Sequence, residues 1–243
     1  MISTHNLSVG YFPGATPILG EVNISVGQGH CTLLCGANGC GKTTLMRTIC
    51  GTLKPLSGTI EGTGAVIMLP TGIPKVKGFT LGDMVRTMLL RESSWMGRLS
   101  LKAREAAAYS MDLLGLKGLQ DRNLSTLSDG QFQRGCIAGG LCSLMLRREG
   151  ENGGGTLILD EPTAFLDVEG KDRVLESLKE AAGELDAAIL LSSHDIFTAI
   201  RHCDSIIGIT PEGKTIQSEG AAWEDKIKTL QETFPALRLE FKE

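Results

Sequence analysis

One nine-residue stretch, Gly-Ala-Asn-Gly-Cys-Gly-Lys-Thr-Thr at 36–44, constrains what this chain can fold into more than any other. It follows an apolar run at 31–35 that predicts a buried strand, and it leads into a segment with helical periodicity beginning near Gly41. The spacing G-x-x-x-x-G-K-T is that of a phosphate-binding loop, whose glycines let several backbone N–H groups point at one anion. A chance match is the alternative, and the strand before and helix after argue against it. We expect Lys42 to reach the β- and γ-phosphates of a nucleoside triphosphate, and the Thr43 hydroxyl to bind Mg²⁺.

The composition is that of an ordinary globular protein. Of the 243 residues, 42% are hydrophobic and 21% are charged. A chain of this length is long enough for one large α/β domain or for a core with a small subdomain. The net charge is −4 and the charges are scattered along the chain. A groove for nucleic acid needs a cluster of basic residues, so we expect no nucleic-acid partner.

The cysteines and the N-terminus indicate a cytoplasmic protein. None of the seven cysteines forms a C-x-x-C pair, and most lie in apolar runs, which favours buried thiols in a reducing compartment. The first residues lack the basic and long apolar regions of a secretory signal, and the weakly polar window at 135–146 is too short to span a bilayer. We therefore expect no direct membrane insertion, and membrane association only through a partner.

Periodicity predicts a mixed α/β order of elements. Residues 2–9 and 18–26 alternate apolar and polar side chains, as antiparallel strands with one solvated face do. Residues 58–62 and 65–69 predict a tight hairpin. A mostly helical block follows at about 81–116, and later come a second apolar strand, a final hairpin and a last amphipathic helix.

Polar side chains follow two of the predicted buried strands. Asp160 and Glu161 come directly after the apolar run at 156–159, and His194 follows the run at 187–191. Ligands of parallel sheets bind at the carboxyl ends of the strands, so these groups are placed to meet phosphates. The sequence Ser128-Asp129-Gly130 precedes another helix, and by itself it is read equally well as a simple capping signal.

With these features in this order, the chain resembles the ATP-binding-cassette (ABC) ATPases over essentially its whole length. The resemblance implies an α/β P-loop ABC-ATPase fold: a mixed sheet core, an N-terminal antiparallel β subdomain and an inserted α-helical subdomain at about 72–148 of a single domain spanning 1–243. It also implies that the cofactors are ATP and Mg²⁺, and that the chain is an ATPase coupled to transmembrane transport.

The resemblance assigns roles to individual residues. Glu161 would polarise the attacking water, His194 would contact the γ-phosphate, and Asp160 would orient Mg²⁺ together with Thr43. Tyr11 would stack on adenine. The phosphates would be held by the loop residues Gly36, Asn38, Gly39, Cys40, Gly41, Lys42, Thr43 and Thr44.

The resemblance further implies a head-to-tail homodimer. Ser128, Gly130 and Gln131 of one subunit would bind the γ-phosphate of the ATP held by the other, and Asp167 would act across the interface. One phosphate-binding loop per chain is consistent with two ATP molecules per dimer.

Two residues depart from the family pattern. Thr71 stands where a glutamine usually reaches the metal and the attacking water, and its shorter side chain would reach Mg²⁺ only through a water. Asp129 stands where the family has a glycine, and at about 4 Å, with an effective dielectric near 20, two like unit charges repel by about 4 kcal/mol. We expect Asp129 to point away from phosphate, and hydrolysis to be slow or strongly dependent on a partner.

Within the family, the patterns at 79–85 and 95–100 are similar to those of the ATPases of iron-siderophore, haem and cobalamin importers. The segment 91–98 would then help to form a groove for a cytoplasmic helix of the permease. Its Trp95 fits such a protein contact, or equally the cap of a local core.

The resulting hypothesis is the ATP-hydrolysing subunit of an ABC importer, peripheral on the inner face of the cell membrane through its permease. The alternatives are a soluble, non-transport member of the superfamily, in iron–sulfur assembly or another role, and an ATP-binding switch with weak hydrolysis, which Thr71 and Asp129 suggest.

Overall fold

The computed structural model describes residues 1–62, 64–89, 100–148, 154–218 and 220–236. The strands in these ranges are β1 (Ile2–Val9), β2 (Leu19–Val22), β3 (Ser25–Val26), β4 (Cys31–Gly36), β5 (Ser57–Gly62), β6 (Val66–Leu69), β7 (Thr156–Leu159), β8 (Ala188–Ser192), β9 (Ser205–Ile209) and β10 (Thr215–Gln217). The α-helices are α1 (Lys42–Ile49), α2 (Leu81–Met88), α3 (Leu101–Leu113), α4 (Asp129–Arg148), α5 (Val168–Glu184), α6 (Ile196–His202) and α7 (Trp223–Thr233).

The first sheet is antiparallel and is built around β1. This strand pairs with β2, β3 and β5, each in the antiparallel sense. Its alternating burial, with Leu7 and Val9 inside and His5 exposed, matches the period of two in its sequence. The prediction of an N-terminal antiparallel part is confirmed.

The second sheet has six strands in the order β10-β9-β4-β8-β7-β6. Its strands run parallel, except for the antiparallel pair of β9 and β10. The central strands β4, β7 and β8 are mostly apolar and are buried along their whole length or nearly so, because both faces of the sheet are covered. Helices α4 and α5 pack on one face, and α1 packs on the other face together with the antiparallel sheet. Their carboxyl ends lie along one edge, where the phosphate-binding loop begins.

The hairpin predicted from residues 58–62 and 65–69 is wrong. β5 pairs with β1 in the antiparallel sheet, whereas β6 pairs in parallel with β7, with Val66 opposite Thr156. The two strands are close in sequence but belong to different sheets. Periodicity and a turn signal identify two strands, and they carry no information about which distant strand each one joins.

Helices α2, α3 and α4 lie between β6 and β7 in sequence, within the region 72–148. The hydroxyl of Ser100 caps α3 by accepting a hydrogen bond from the Ala103 N–H at 3.1 Å, as predicted. Residues 90–99, with Trp95 and the whole of the segment 91–98 expected to bind a permease, lie outside the described residues.

The core of the chain joins these helices to the large sheet. Ile137 and Leu141 of α4 belong to the same buried cluster as Leu157 of β7 and Leu178 of α5. All seven cysteines are free, and five are buried, as expected for small apolar side chains. In the ranges that the structure describes, no helix is both long enough and apolar enough to span a bilayer.

Candidate functional site

The phosphate-binding loop, residues 36–44, turns sharply between β4 and α1. Gly36, Gly39 and Gly41 all have positive φ, of 154°, 78° and 107°. At Gly41 an added Cβ would lie only 2.8 Å from Ile18 Cγ2, so both the conformation and the space require glycine. The added Cβ would also lie 3.1 Å from Cγ of Leu19, the first residue of β2, so the start of β2 packs against the turn.

The loop presents positive charge and free donors. Gly41 caps α1 without any side-chain hydrogen bond, so the first N–H groups of the helix have no side-chain partner at the cap. Lys42 is nearly buried, and its Nζ donates to the carbonyl oxygens of Gly36 at 2.9 Å and Ala37 at 3.1 Å. The ammonium thus lies inside the curve of the loop, where an anion would be bound.

Thr43 and Asp160 meet at the end of the loop. The Thr43 hydroxyl donates to Asp160 Oδ2 at 2.8 Å, and the buried Ser192 hydroxyl donates to Asp160 Oδ1 at 2.8 Å. Both carboxylate oxygens are therefore oriented. In the described ranges no group of three or more His, Cys, Asp or Glu residues is arranged to hold a metal ion. A hydroxyl and a single carboxylate beside a phosphate site is instead the donor set that suits Mg²⁺ bound together with a nucleotide.

Glu161 is held by His194 and by Ser192. Its backbone N–H donates to Ser192 Oγ at 3.0 Å, and its Oε2 accepts from the His194 N–H at 3.1 Å. His194 Nε2 lies 3.3 Å from Oε1. Burial raises the pKa of Glu161 above its ordinary value, and the neighbouring His194 lowers it in part. Glu161 also adopts a left-handed φ of 54°, which is uncommon for a non-glycine residue and is frequent at functional sites.

Two further predicted residues lie against this edge of the sheet. The Thr71 hydroxyl donates to the backbone carbonyl of Asp160 at 3.1 Å, so it touches the residue that was predicted to orient the metal. Thr44 Oγ1 donates to Tyr11 Oη at 3.2 Å, which places the half-exposed Tyr11 ring at the start of α1.

The Ser128 turn, residues 127–131, is a capping box at the start of α4. The Gln131 N–H donates to Ser128 Oγ at 3.1 Å, and the Ser128 N–H donates to Gln131 Oε1 at 3.1 Å. A hydroxyl that accepts one hydrogen bond keeps its own hydrogen for a further acceptor. The capping role and the phosphate-binding role proposed for Ser128 are therefore compatible.

The remaining residues of that group contact the segment before α5. An added Cβ on Gly130 would lie 3.0 Å from Leu166 Cδ2, so the turn packs closely on Leu166. Asp167 Oδ1 accepts from the Gly170 N–H at 2.8 Å and caps α5. The structure thus gathers the predicted residues into two groups, one on the phosphate-binding loop and the other at the start of α4 and α5.

Sequence reasoning missed two residues. Ser192 lies between Asp160 and Glu161, and it could have been found by placing β7 beside β8, where Leu159 is opposite Leu191. Lys75 forms an ion pair with Asp129 at 2.7 Å, across 54 positions of sequence. No local sequence pattern predicts an ion pair between residues so far apart in the chain.

Comparison with known proteins gives one consistent answer. A sequence model described as "ABC transporter" matches residues 19–164. The probable siderophore transport system ATP-binding protein YusV of Bacillus subtilis (strain 168) is 31% identical over 232 residues, which cover 90% of this chain and 80% of that protein.

Solved structures share the fold. A metal-chelate type ABC transporter in an inward-facing conformation matches with a TM-score of 0.77 at 22% identity, over 96% of this chain and 88% of the other. The dimeric ATP-binding cassette MJ0796, in a post-hydrolysis state with ADP and phosphate, matches with a TM-score of 0.69 at 20% identity, over 85% and 93% of the two chains.

Proposed function

This chain belongs to the ABC transporter family and is an ATP-binding ATPase of that family, and we propose that it powers a membrane permease that imports an iron chelate. The iron-chelate cargo is supported by the siderophore transport named for YusV. Haem and cobalamin are the related cargo classes that the sequence patterns at 79–85 and 95–100 suggest. In this role the chain lies on the inner face of the membrane through its permease.

The observation that carries the proposal is the convergence of three strand ends at one edge of the sheet. The ends of β4, β7 and β8 bring together the Lys42 ammonium, the Thr43–Asp160 contact and the Glu161–His194 contact. Phosphoryl transfer needs fixed positive charge around the phosphates and an aligned water more than it needs a strong nucleophile. Here Lys42 supplies fixed positive charge, and Glu161 is placed to orient a water.

The chemistry follows from these positions. A water oxygen attacks the γ-phosphorus while the bond from phosphorus to the β–γ bridging oxygen breaks, leaving ADP and phosphate. Glu161 orients the water and takes up its proton. Lys42 and the N–H groups of the loop stabilise the charge on the phosphate oxygens, and His194 contacts the γ-phosphate.

Thr43 and Asp160 would hold Mg²⁺, with Ser192 fixing the Asp160 carboxylate. When bound, the ion supplies positive charge to the phosphate oxygens. Thr71 touches the Asp160 carbonyl, so it acts on this site through the backbone of Asp160 or through a water.

We propose that two copies close head to tail on two ATP molecules. Each chain carries one phosphate-binding loop, and the Ser128 side chain makes its hydrogen bond to Gln131 of the same turn. The second copy would place its Ser128, Gly130 and Gln131 against the γ-phosphate, with Asp167 nearby. The dimeric state of MJ0796 supports this assembly.

A hollow between α2 and α3 offers a docking place for the permease. It measures about 250 Å³ and is lined by apolar Val85, Ala107 and Met111 and by cationic Arg86, Arg104 and Lys117. An amphipathic helix that presents apolar residues flanked by acidic ones would fit this hollow. The hollow lies in the helical region that precedes α4, next in sequence to the segment expected to bind a permease.

The first test is ATP hydrolysis by the purified chain. Glu161→Gln keeps the size of the side chain but removes the base, so we expect the maximal rate to fall by roughly 10²–10³-fold while ATP binding persists. Glu224→Gln, an exposed acid at the start of α7, is the matched control and should leave the rate unchanged. Unchanged hydrolysis in Glu161→Gln would contradict the catalytic assignment.

The second test identifies the partner and the cargo. A tagged chain purified from detergent-solubilised membranes should bring with it a permease with many membrane spans, and that complex in vesicles should take up ferric siderophore when ATP is supplied. Uptake of haem or cobalamin instead would change the cargo. Purification without any membrane protein would favour a soluble member of the superfamily, and ATP binding without turnover would favour the switch.

A further inference from the structure

The loop that follows β6, residues 70–75, contacts both predicted groups of site residues within one chain. At its start, the Thr71 hydroxyl donates to the Asp160 carbonyl at 3.1 Å. At its end, Lys75 Nζ donates to the Leu127 carbonyl at 2.9 Å and pairs with Asp129 Oδ1 at 2.7 Å. The loop therefore connects the residue proposed for Mg²⁺ with the turn proposed for the partner's ATP.

Lys75 is held more firmly than an ordinary surface lysine. Its side chain is 28% exposed, and its Nζ also lies 5.5 Å from the centre of the Phe132 ring. A carbonyl, a carboxylate and an aromatic face thus surround one ammonium group. Lys75, Asp129 and Phe132 line a small hollow of about 210 Å³. Phe165, which belongs to the segment leading to Asp167, lines the same hollow.

The negative charge of Asp129 lies beside the turn proposed to bind phosphate, and the ammonium group of Lys75 neutralises it. Asp129 is next to Ser128 and is the first residue of α4, whose N-terminal N–H groups are placed to bind an anion. The Asp129 side chain is 73% exposed in the single chain. Without a partner, its carboxylate would repel a γ-phosphate brought against the turn, since like charges repel at short range. The paired Lys75 ammonium brings the net charge of the two side chains to zero.

We propose that Lys75 is a positioning residue for ATP hydrolysis, holding Asp129 and the Ser128 turn in the geometry and charge state that accept the ATP bound by a second copy. This inference rests on the proposed head-to-tail dimer. Lys75 acts through Asp129 and Leu127 and does not itself touch the reacting atoms. The loop that carries Lys75 also connects the Ser128 turn with Asp160, through the hydrogen bond from Thr71 to the Asp160 carbonyl. Thr71 is the residue of this loop that stands in place of the glutamine typical of the family.

The experiment combines single and double substitutions in the full chain. Lys75→Met removes the charge, Lys75→Arg keeps it, Asp129→Gly removes the carboxylate, and a double variant carries Lys75→Met with Asp129→Gly. Lys77→Met is the matched control, because Lys77 is an exposed lysine two positions further along the same segment. The readouts are the KM for ATP and kcat and, in a Glu161→Gln background, ATP-driven dimerisation followed by light scattering.

The expected pattern is specific. Lys75→Met should raise the KM for ATP roughly five- to tenfold with a much smaller change in kcat. The reason is that the Asp129 carboxylate would lose its neutralising partner and would repel the phosphates of the ATP that binds against the turn. Lys75→Arg should stay close to the unaltered chain, and the double variant should recover most of the loss. The ATP concentration needed for dimerisation should shift in parallel, and Lys77→Met should shift neither readout.

Three results would overturn the inference. Lys75→Met could behave like Lys77→Met, the double variant could be no better than Lys75→Met, or only kcat could change. If the unaltered chain hydrolyses ATP and Glu161→Gln dimerises with it, such a result removes the role of Lys75 and leaves the proposed function intact. If ATP brings about neither hydrolysis nor dimerisation, the proposed function fails, and this inference fails with it.

Discussion

At the scale of single residues, Ser192 shows how one buried hydroxyl organises two carboxyl-bearing residues. Its Oγ donates to Asp160 Oδ1 at 2.8 Å and accepts from the Glu161 N–H at 3.0 Å, and the residue is fully buried. Both hydrogen bonds come from one atom at the end of β8. The orientation of Asp160 and the strained backbone of Glu161 therefore both depend on Ser192.

Ser192→Ala should impair both activity and stability. The substitution leaves the Glu161 N–H and one Asp160 oxygen without this partner, so we expect a loss of about 1–3 kcal/mol in the free energy of unfolding. We also expect roughly tenfold weaker hydrolysis, because groups that orient a metal ligand typically have effects of that size. Urea denaturation and steady-state kinetics measure the two effects.

Ser177→Ala is the control for this substitution. Ser177 Oγ donates to the Leu113 carbonyl at 3.0 Å, between α5 and the end of α3, so the variant also loses one hydroxyl hydrogen bond. It should cost stability without lowering the rate. An equal fall in rate for both variants would show that the Ser192 effect is only a general loss of folding.

The sequence predicted residues whose role is set locally, and it missed those set by distant contacts. Lys42 and Thr43 stand in one motif, and Asp160 and Glu161 follow an apolar run, so short windows suffice to find them. Ser192 acts through a neighbouring strand and Lys75 acts across 54 positions, and neither contact leaves a local pattern. The roles of the predicted residues remain predictions until the variants are measured.

At the scale of secondary-structure elements, the end of α6 depends on a lysine from α7. Lys226 is 7% exposed, and its Nζ donates to the carbonyl oxygens of Ile200 at 3.1 Å and Cys203 at 2.9 Å. The last carbonyl groups of a helix have no partner within the helix, so this ammonium satisfies groups that would otherwise be buried unpaired. Burial lowers the pKa of Lys226, because removing an ammonium group from water disfavours its charged form.

Lys226→Met should reduce stability by about 1–3 kcal/mol, because it leaves two carbonyl oxygens without their donor while keeping the length of the side chain. Lys228→Met, at an exposed position of the same helix, should be nearly neutral. Chemical denaturation of the two variants gives the comparison. Equal stability of the two would mean that burial of the charge offsets the hydrogen bonds.

The pairing of elements was harder to predict than their existence. The strand at 31–35 and the helix after it follow from local pattern, and both are present as β4 and α1. The hairpin at 58–69 failed because β5 and β6 each pair with a strand distant in sequence, in two different sheets. Pairing depends on which buried surfaces meet, and this is a property of the whole chain.

At the scale of the whole molecule, the proposed dimer makes each ATP site a joint product of two chains. Lys42 and Ser128 would then act together only when they come from different subunits. In one chain, Lys42 Nζ donates to carbonyl oxygens of its own loop, and Ser128 Oγ accepts from the N–H of Gln131. Mixing two inactive variants can therefore test the assembly directly.

We expect Lys42→Met and Ser128→Arg each to abolish hydrolysis as homodimers and to regain activity when mixed. In a mixed dimer, one site receives both substitutions and the other receives the native Lys42 of one chain and the native Ser128 of the other. Random pairing makes about half of the dimers mixed, so restored activity should approach about a quarter of the native value if the sites act independently. Mixing Lys42→Met with a chain that carries both substitutions is the control, since no native site can form there. Absence of recovery in the first mixture, with mixed dimers shown to be present by differently tagged chains, would exclude the head-to-tail site.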